Sequence, residues 1–543
     1  MTYTILSQCI ACDECRPQCP TDAIEAEGKR YSIEASLCNN CVGYYADPLC
    51  VLVCPTLHPV PLESNRSARG TSRYQKCDRD RALSPDLFPN GQTNPMASSI
   101  VIWETCNLLA GGQSLPWMED SNAILFYRRS VKQGKGNLTF RLTDRVQGSE
   151  FEFQSGQTAW ETLDRFDARS AGLHLVYAAH ATALNRPWEE SFKIDDRQIE
   201  WYLGLHRRKD LSRLEKLALI KFLVQQPCCL CYSLHWPQQG PIDAFNIERD
   251  RLWYLEAIDH HFYEDELGNK HVIGLTFTLR AGLWAKYFLN RDGARDKRAF
   301  YQYGILPKFV LDKASSLWQQ HPGAARMMLW LLFKTKLGRQ QSITVLTLMR
   351  VAYGPDKIAA VQGDRAKRKK QIRTFESDLE ILDRCGFTPQ FDPQTYPPQI
   401  QPMWAKLADL PNDSEAALEF WIDDANRDRR LTDPGARGKW QMLMQARISQ
   451  FDLPEPLERG YGDRATVPLR PKSARPSSTS PPSLTGEDVM AARRDKGLSQ
   501  RTVARAIGKS QSWVRDIERG RFQIKPSDRD RLCRILGIGE KST

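Results

Sequence analysis

The sequence predicts an α+β protein of several domains, and three observations predict it. At 543 residues the chain exceeds what a single compact core accommodates. Two stretches rich in Ser, Arg and Pro, residues 63–95 and 454–484, read as irregular linkers that divide it into three parts. The parts also differ in pattern. Residues 1–62 are dense in cysteine, 96–453 alternate helical and strand periodicities, and 485–543 are helical throughout.

Composition sets the class. Hydrophobic residues make up 41 % and charged residues 26 %, as in globular proteins. The longest apolar stretch, residues 327–333, has the length of a core helix and falls well short of the roughly 20 residues of a membrane span. The N-terminus lacks the basic and apolar segments of a signal peptide, so a cytoplasmic location and reduced thiols are expected. Fifteen cysteines therefore do not imply a disulfide framework. The net charge of +11 is uneven: residues 1–62 hold seven acidic side chains against three basic ones. An acidic head on a basic body suggests two kinds of partner, a basic protein surface and a polyanion, with no membrane.

Eight cysteines fall in two matched runs. The first is Cys9, Cys12, Cys15 and Cys19 followed by Pro20; the second is Cys38, Cys41, Cys50 and Cys54 followed by Pro55. A cubane cluster needs four thiolates from different sides, and three closely spaced cysteines on a tight loop supply three. Zinc sites use paired C-x2-4-C units instead of runs closed by Cys-Pro. Each proline is expected to stop a short helix. Residues 1–62 resemble the bacterial-type two-cluster ferredoxins, with Thr4-Ile5 as an edge strand and residues 22–25 and 31–33 as a strand pair. In the two-cluster arrangement the fourth cysteine of each run reaches the other cluster. The resemblance thus implies two [4Fe–4S] clusters, one on Cys9, Cys12, Cys15 and Cys54, the other on Cys38, Cys41, Cys50 and Cys19. The second run has eight residues between Cys41 and Cys50, where the simplest members have two. That longer loop is similar to ferredoxins associated with nitrogen fixation, and the two potentials are expected to differ.

The middle begins a new globular pattern at Met96. Residues 138–142 and 151–153 alternate like a hairpin across Gly148, and helices are expected over 158–181, 195–203, 211–224 and 246–258. A ribbon follows, its turn at Leu267-Gly268-Asn269-Lys270. Helices followed by a hairpin resemble a winged-helix domain of the kind found in plasmid-type replication initiators, with a weaker second copy over 321–390; another mixed α+β domain is the alternative. Cys228, Cys229, Cys231 and His235 sit in an apolar run and read as core, and His260 and His261 are expected on opposite faces of a strand. Residues 365–373 carry six basic side chains in nine, which suits a solvated face or phosphate contact. No phosphate loop, zinc-hydrolase motif or nucleophile elbow occurs, so no enzyme is expected.

The C-terminal region reads as four helices. Residues 488–496 end at Gly497, Ser499 caps 500–507, Gly508-Lys509 turns the chain, 510–518 follows, and the last helix covers 527–536. Val503, Val514 and Ile517 supply a small core, with Ala504 letting two helices cross. This pattern is similar to the phage-repressor-like (Cro/C1 type) helix-turn-helix family, whose second motif helix enters the major groove. The resemblance places Ser510, Gln511, Ser512 and Arg515 at base edges or phosphate, Lys509 near phosphate, and Gln500 at the backbone beside Gln511.

Three functions fit the whole: a low-potential one-electron carrier, linked to nitrogen fixation, joined to a sequence-specific DNA-binding module; a redox-responsive transcription regulator; or a replication or maintenance protein of a mobile element with a ferredoxin head. The expected partners are a redox protein of the oxidoreductase class, related to nitrogenase in the first case, and double-stranded DNA.

Overall fold

The computed structural model describes residues 2–28, 30–62, 82–143, 152–266, 268–334, 342–408, 410, 413–426, 438–454, 486–519, 524 and 526–536. The chain divides into two compact units, 1–466 and 467–543. In the first unit, the cysteine-rich head is built from two short antiparallel pairs, Tyr3–Ile5 with Pro59–Pro61 and Ile24–Glu27 with Arg30–Ile33. One helix, Leu49–Val53, ends at Cys54, because Pro55 cannot continue it. The helix expected before Pro20 is replaced by turns. Ala11 and Asp13 adopt positive φ angles of 55° and 61°, which a helical run cannot contain.

The head shares one hydrophobic core with the body: Tyr3, Ile24, Val51 and Leu57 belong to the same buried cluster as Phe277 and Leu331. In the body lies the helix Ala168–Ala183, buried along all of 168–182, its few polar side chains included. His174 is neutralised inside it. The Trp253 indole donates to His174 Nδ1 at 2.9 Å, so the protonated Nε2 donates to the Ile102 carbonyl, and burial pushes the imidazole down to about 3. A five-stranded antiparallel sheet runs Phe245–Arg251, Leu230–Trp236, Gly136–Leu142, Leu125–Val131, Met118–Glu119.

Several expectations change here. Residues 246–258 form strands, the end of Phe245–Arg251 and the start of Trp253–Glu264. The spacing of Ile247, Leu252 and Leu255 suits both periods, and pairing with Leu230–Trp236 on one side and Lys270–Ala281 on the other decides. The helix expected over 158–181 is two helices, Gly156–Asp164 and Ala168–Ala183, because Asp167 accepts from the Arg169 and Ser170 amides and starts a new one. The strand Gly136–Leu142 pairs with Leu125–Val131 and Leu230–Trp236, and a single bridge, Thr143 with Phe153, represents the expected hairpin; Gly148 lies outside the described residues. The linker expected over 63–95 has structure in its described part: Leu87 and Phe88 are buried, and Thr93–Ala97 pairs with Tyr303–Pro307. Residues 455–484 of the second linker lie outside the described residues.

One topology occurs twice in the body. The first copy runs Ala168–Ala183, Ser191–Asp195, Asp196–Tyr202, Arg213–Gln225, then the long hairpin Trp253–Glu264 and Lys270–Ala281, with the first strand beside the last. Capping boxes at Asp195 and Ser212 start its second and third helices. The second copy runs Pro322–Lys334, Ile343–Thr344, Val345–Tyr353, Arg365–Arg384, Thr388–Phe391 and Arg447–Asp452, and again the first strand pairs with the last. Helix, strand, helix, helix and two-stranded wing resembles the winged-helix order, with the strands Leu230–Trp236 and Phe245–Arg251 inserted before the wing of the first copy and the helix Pro355–Val361 before the long helix of the second. The second copy closes at 452 instead of 390, because its last strand comes from Arg447–Asp452.

The C-terminal unit holds Gly486–Asp495, Gln500–Ile507, Gln511–Glu518 and Pro526–Leu536 around Val489, Val503, Ala504, Ile507, Val514, Ile517, Leu532 and Leu536. Among the described residues no helix is long and apolar enough to cross a membrane.

Candidate metal centre and nucleic-acid interface

The structure gathers the eight head cysteines around two cavities. One is lined by Cys9, Cys12, Cys15 and Cys54 together with Ile5, Ile10 and Tyr31. The other is lined by Cys19, Cys38, Cys41 and Cys50 with Tyr3, Ala23 and Ile33. Each cavity thus takes three cysteines from one run and the last from the other. Among the described residues no three His, Cys, Asp or Glu side chains converge at single-ion range.

Local backbone geometry aims these thiols. Positive φ at Ala11, Asp13, Asn40 and Cys41 folds each run back on itself, turning successive amides toward the sulfurs. The Ala11, Ala23 and Leu49 amides donate to Cys9, Cys19 and Cys41 Sγ at 3.4, 3.4 and 3.5 Å. Such bonds stabilise thiolate and tune a bound cluster. Burial, with neighbouring thiols adding, pushes Cys15 up to about 12 and Cys50 higher still. Four thiolates cannot share either cavity unless cationic metal neutralises them, so the donor set fits an iron–sulfur centre.

The head is tied to the first winged-helix copy. Lys270 Nζ, at the tip of the wing, reaches the Ala46 carbonyl at 2.6 Å and the Asp47 carboxylate at 2.8 Å, both in the long loop between Cys41 and Cys50. Tyr3 Oη donates to the Lys270 carbonyl at 2.7 Å. Lys221, on the third helix, donates to the Leu52 and Cys54 carbonyls and to His260 Nε2. His261, its neighbour, bonds instead to Thr276 Oγ1 at 2.8 Å. Sequence reasoning missed Lys221 and Lys270. Their one signal was charge on otherwise apolar or turn positions, which surface lysines share.

In the C-terminal unit the helix Gln511–Glu518 presents Gln511, Ser512 and Arg515 to solvent. Ser510 caps it, its Oγ accepting from the Trp513 amide at 3.2 Å, so this hydroxyl already has a structural task. Lys509 lies 3.4 Å from Asp528 and over the Trp513 ring. Gln500, expected beside Gln511, donates to Glu518 Oε2 at 2.8 Å. Burial alone would raise the Glu518 carboxyl, but Arg493 and Gln500 outweigh it and hold the group below its usual range. Gln500 therefore ties the start of its helix to the end of Gln511–Glu518. In the body, residues 365–373 are mostly exposed on the third helix of the second copy, and among the described residues none of their six cations forms an ion pair. Cys228, Cys229 and Cys231 are buried, as core residues are, whereas His235, expected with them, points away from the core and is exposed, because it lies on the other face of its strand from Leu234 and Trp236.

Comparison with known proteins separates the two ends. The head is 46 % identical over 55 residues to Ferredoxin-1 of Chlorobaculum tepidum, covering 89 % of that protein and 10 % of this chain. Through this head, the chain belongs to the ferredoxins. The ferredoxin head is likewise 45 % identical over 71 residues to a ferredoxin-like protein in the nif region of Bradyrhizobium diazoefficiens, covering 89 % of it and 13 % of this chain. A ferredoxin-like protein in the nif region of Nostoc is 50 % identical over 58 residues, half of its length and 10 % of this chain. A helix-turn-helix domain family matches residues 486–542. The crystal structure of domains 2 and 3 of RctB covers 51 % of this chain and 85 % of its own at 14 % identity with a TM-score of 0.26, a likeness too loose to assign a fold. The chain thus joins an iron–sulfur module of ferredoxin type to a DNA-binding helix-turn-helix domain.

Proposed function

We propose that this protein is a low-potential one-electron carrier, without enzymatic activity of its own, whose ferredoxin head holds two [4Fe–4S] clusters and whose other domains attach it to double-stranded DNA. The observation that supports it most is the pair of cavities, each ringed by four cysteines drawn from both runs. Cys9, Cys12, Cys15 and Cys54 would hold one cluster, and Cys38, Cys41, Cys50 and Cys19 the other. Bound there, such clusters accept and release one electron at a time with no bond made to a substrate. The chain's own residues bury Cys15, Cys41, Cys50 and Cys54 while leaving Cys12 exposed, an edge where a partner can approach. Ile10, Leu37, Val42, Tyr44 and Tyr45 are exposed around these loops on an acidic head, and suit a basic oxidoreductase with an apolar patch. A partner of the nitrogen-fixation class is proposed from the long second loop and from the nif-region relatives. The test is a potentiometric titration followed by EPR. Two one-electron steps at low potential are expected, and a redox-silent chain would rule out the carrier.

A second function, a redox-responsive DNA-binding protein, is favoured by the docking of the head on the third helix and wing of the first copy. Coupling between two sites needs such a contact. A change in DNA affinity beyond about tenfold on reduction, about 1.4 kcal/mol, would favour it over the carrier. The tandem winged helices and the exposed cations of 365–373 support DNA attachment in either case, as they do for a replication or maintenance protein.

A further inference from the structure

Lys221 stands in an unusual place. It is 1 % exposed, on a helix otherwise packed with Leu217, Ile220, Leu223 and Val224. An ammonium has three N–H donors, and here they meet the Leu52 carbonyl at 3.0 Å, the Cys54 carbonyl at 2.6 Å and His260 Nε2 at 3.1 Å. None of these acceptors is anionic. An ammonium only donates, so His260 Nε2 accepts, and burial beside this cation holds the imidazole neutral. Among the described residues no carboxylate lies within ion-pair distance of Lys221; Asp47, the acidic side chain that the long loop brings to this interface, is paired with Lys270. A buried cation without a counter-charge is costly. The group at hand that can carry negative charge is the thiolate of Cys54, whose own carbonyl Lys221 bonds.

We infer that Lys221 is a positioning residue that raises the reduction potential of the cluster held by Cys9, Cys12, Cys15 and Cys54, so that the body sets the potential of its own head. This rests on the two-cluster function proposed above. Reduction brings one electron from an external low-potential donor; no bond forms or breaks and no proton moves. The added negative charge is stabilised by the fixed ammonium. Linkage makes the effect reciprocal: reduction tightens the contact between Lys221 and the segment from Leu52 to Cys54 by the same factor. A mere cap on the carbonyls at the end of helix Leu49–Val53 would leave the potential unmoved.

The test uses the full chain, purified anaerobically and titrated potentiometrically with EPR detection, the first cluster's signal being assigned by its loss in Cys15→Ala. Lys221→Met removes the charge and keeps the volume. It should shift that cluster's reduction equilibrium about tenfold toward the oxidised state, about 59 mV for one electron. The other cluster should move less. Lys221→Arg, which keeps the charge, should restore the potential. An unshifted first potential in Lys221→Met with both clusters present overturns the inference. Should Lys221→Met fail to fold, amide exchange in the unaltered chain decides: slower exchange at the segment from Leu52 to His58 on reduction supports the inference, and equal exchange overturns it. A chain that holds no iron–sulfur cluster overturns the function beneath it, and the inference falls with it.

Discussion

The two winged-helix-like copies share one core order of elements, apart from their insertions, and differ in what lies against the long helix that precedes the wing. In the first, Arg213–Gln225 is taken up on both sides. Arg213 and Lys216 pair with Asp196 and Glu200, and Lys221 reaches the ferredoxin head. In the second, Arg365–Arg384 leaves Arg365, Lys367, Lys369, Lys370 and Arg373 exposed. The same element serves as a protein-docking surface in one copy and as an open cationic face in the other. Charge pairing, more than topology, assigns the task.

Cluster loss should affect the two copies most unequally. Cys15→Ala and Cys50→Ala each remove ligands from a different cavity, and each should lower the iron content by about half, from about eight per chain. Amide exchange should then quicken along Arg213–Gln225 and the wing Lys270–Ala281, and stay unchanged along Arg365–Arg384. Equal protection of both third helices after cluster loss would break the comparison.

A smaller effect is expected at the open face. Lys369→Ala with Lys370→Ala should weaken binding to every duplex alike and lower the salt slope by about two units, as lost phosphate contacts do. Lys216→Ala, whose cation is already paired with Glu200, should leave the slope unchanged. Titrations at two salt concentrations on a selected and a scrambled duplex would show this.

Sequence preference should instead reside in the C-terminal unit. Gln511→Ala should cost about 1–3 kcal/mol on the preferred site and little on scrambled DNA. Gln500→Ala should lower the melting temperature of that unit, since its amide is engaged with Glu518. The smallest effect is on acid stability. Glu518 has its folded-state pKa below the unfolded value of about 4.3, so its stabilisation is present above that pH and is lost as the pH falls through the folded value. Thermal melts of wild type and Glu518→Gln should converge as the pH drops below about 4.

What was legible in the sequence was local. The cysteine runs were readable because the turns that aim a thiol span only a few residues, and Ser499 and Asp195 marked helix starts because a cap acts within three residues. The strands Phe245–Arg251 and Trp253–Glu264 were missed because their apolar spacing suits both periods until pairing partners, as distant as Ala281 for Trp253, choose. Lys221 and Lys270 were invisible as docking residues. Their bonds to Cys54 and Asp47 span 167 and 223 positions, and no local pattern separates a lysine that will be buried from one on a solvated face. The bond from Gln500 to Glu518 was not legible for a related reason: it spans 18 positions, to the far end of the next helix.

Iron and acid-labile sulfide in the anaerobically purified full chain test the central claim, that the ferredoxin head carries two clusters, most directly. Two cavities with four cysteines each predict about eight iron and about eight sulfide per chain. Zinc in place of iron, or iron without sulfide, would contradict it.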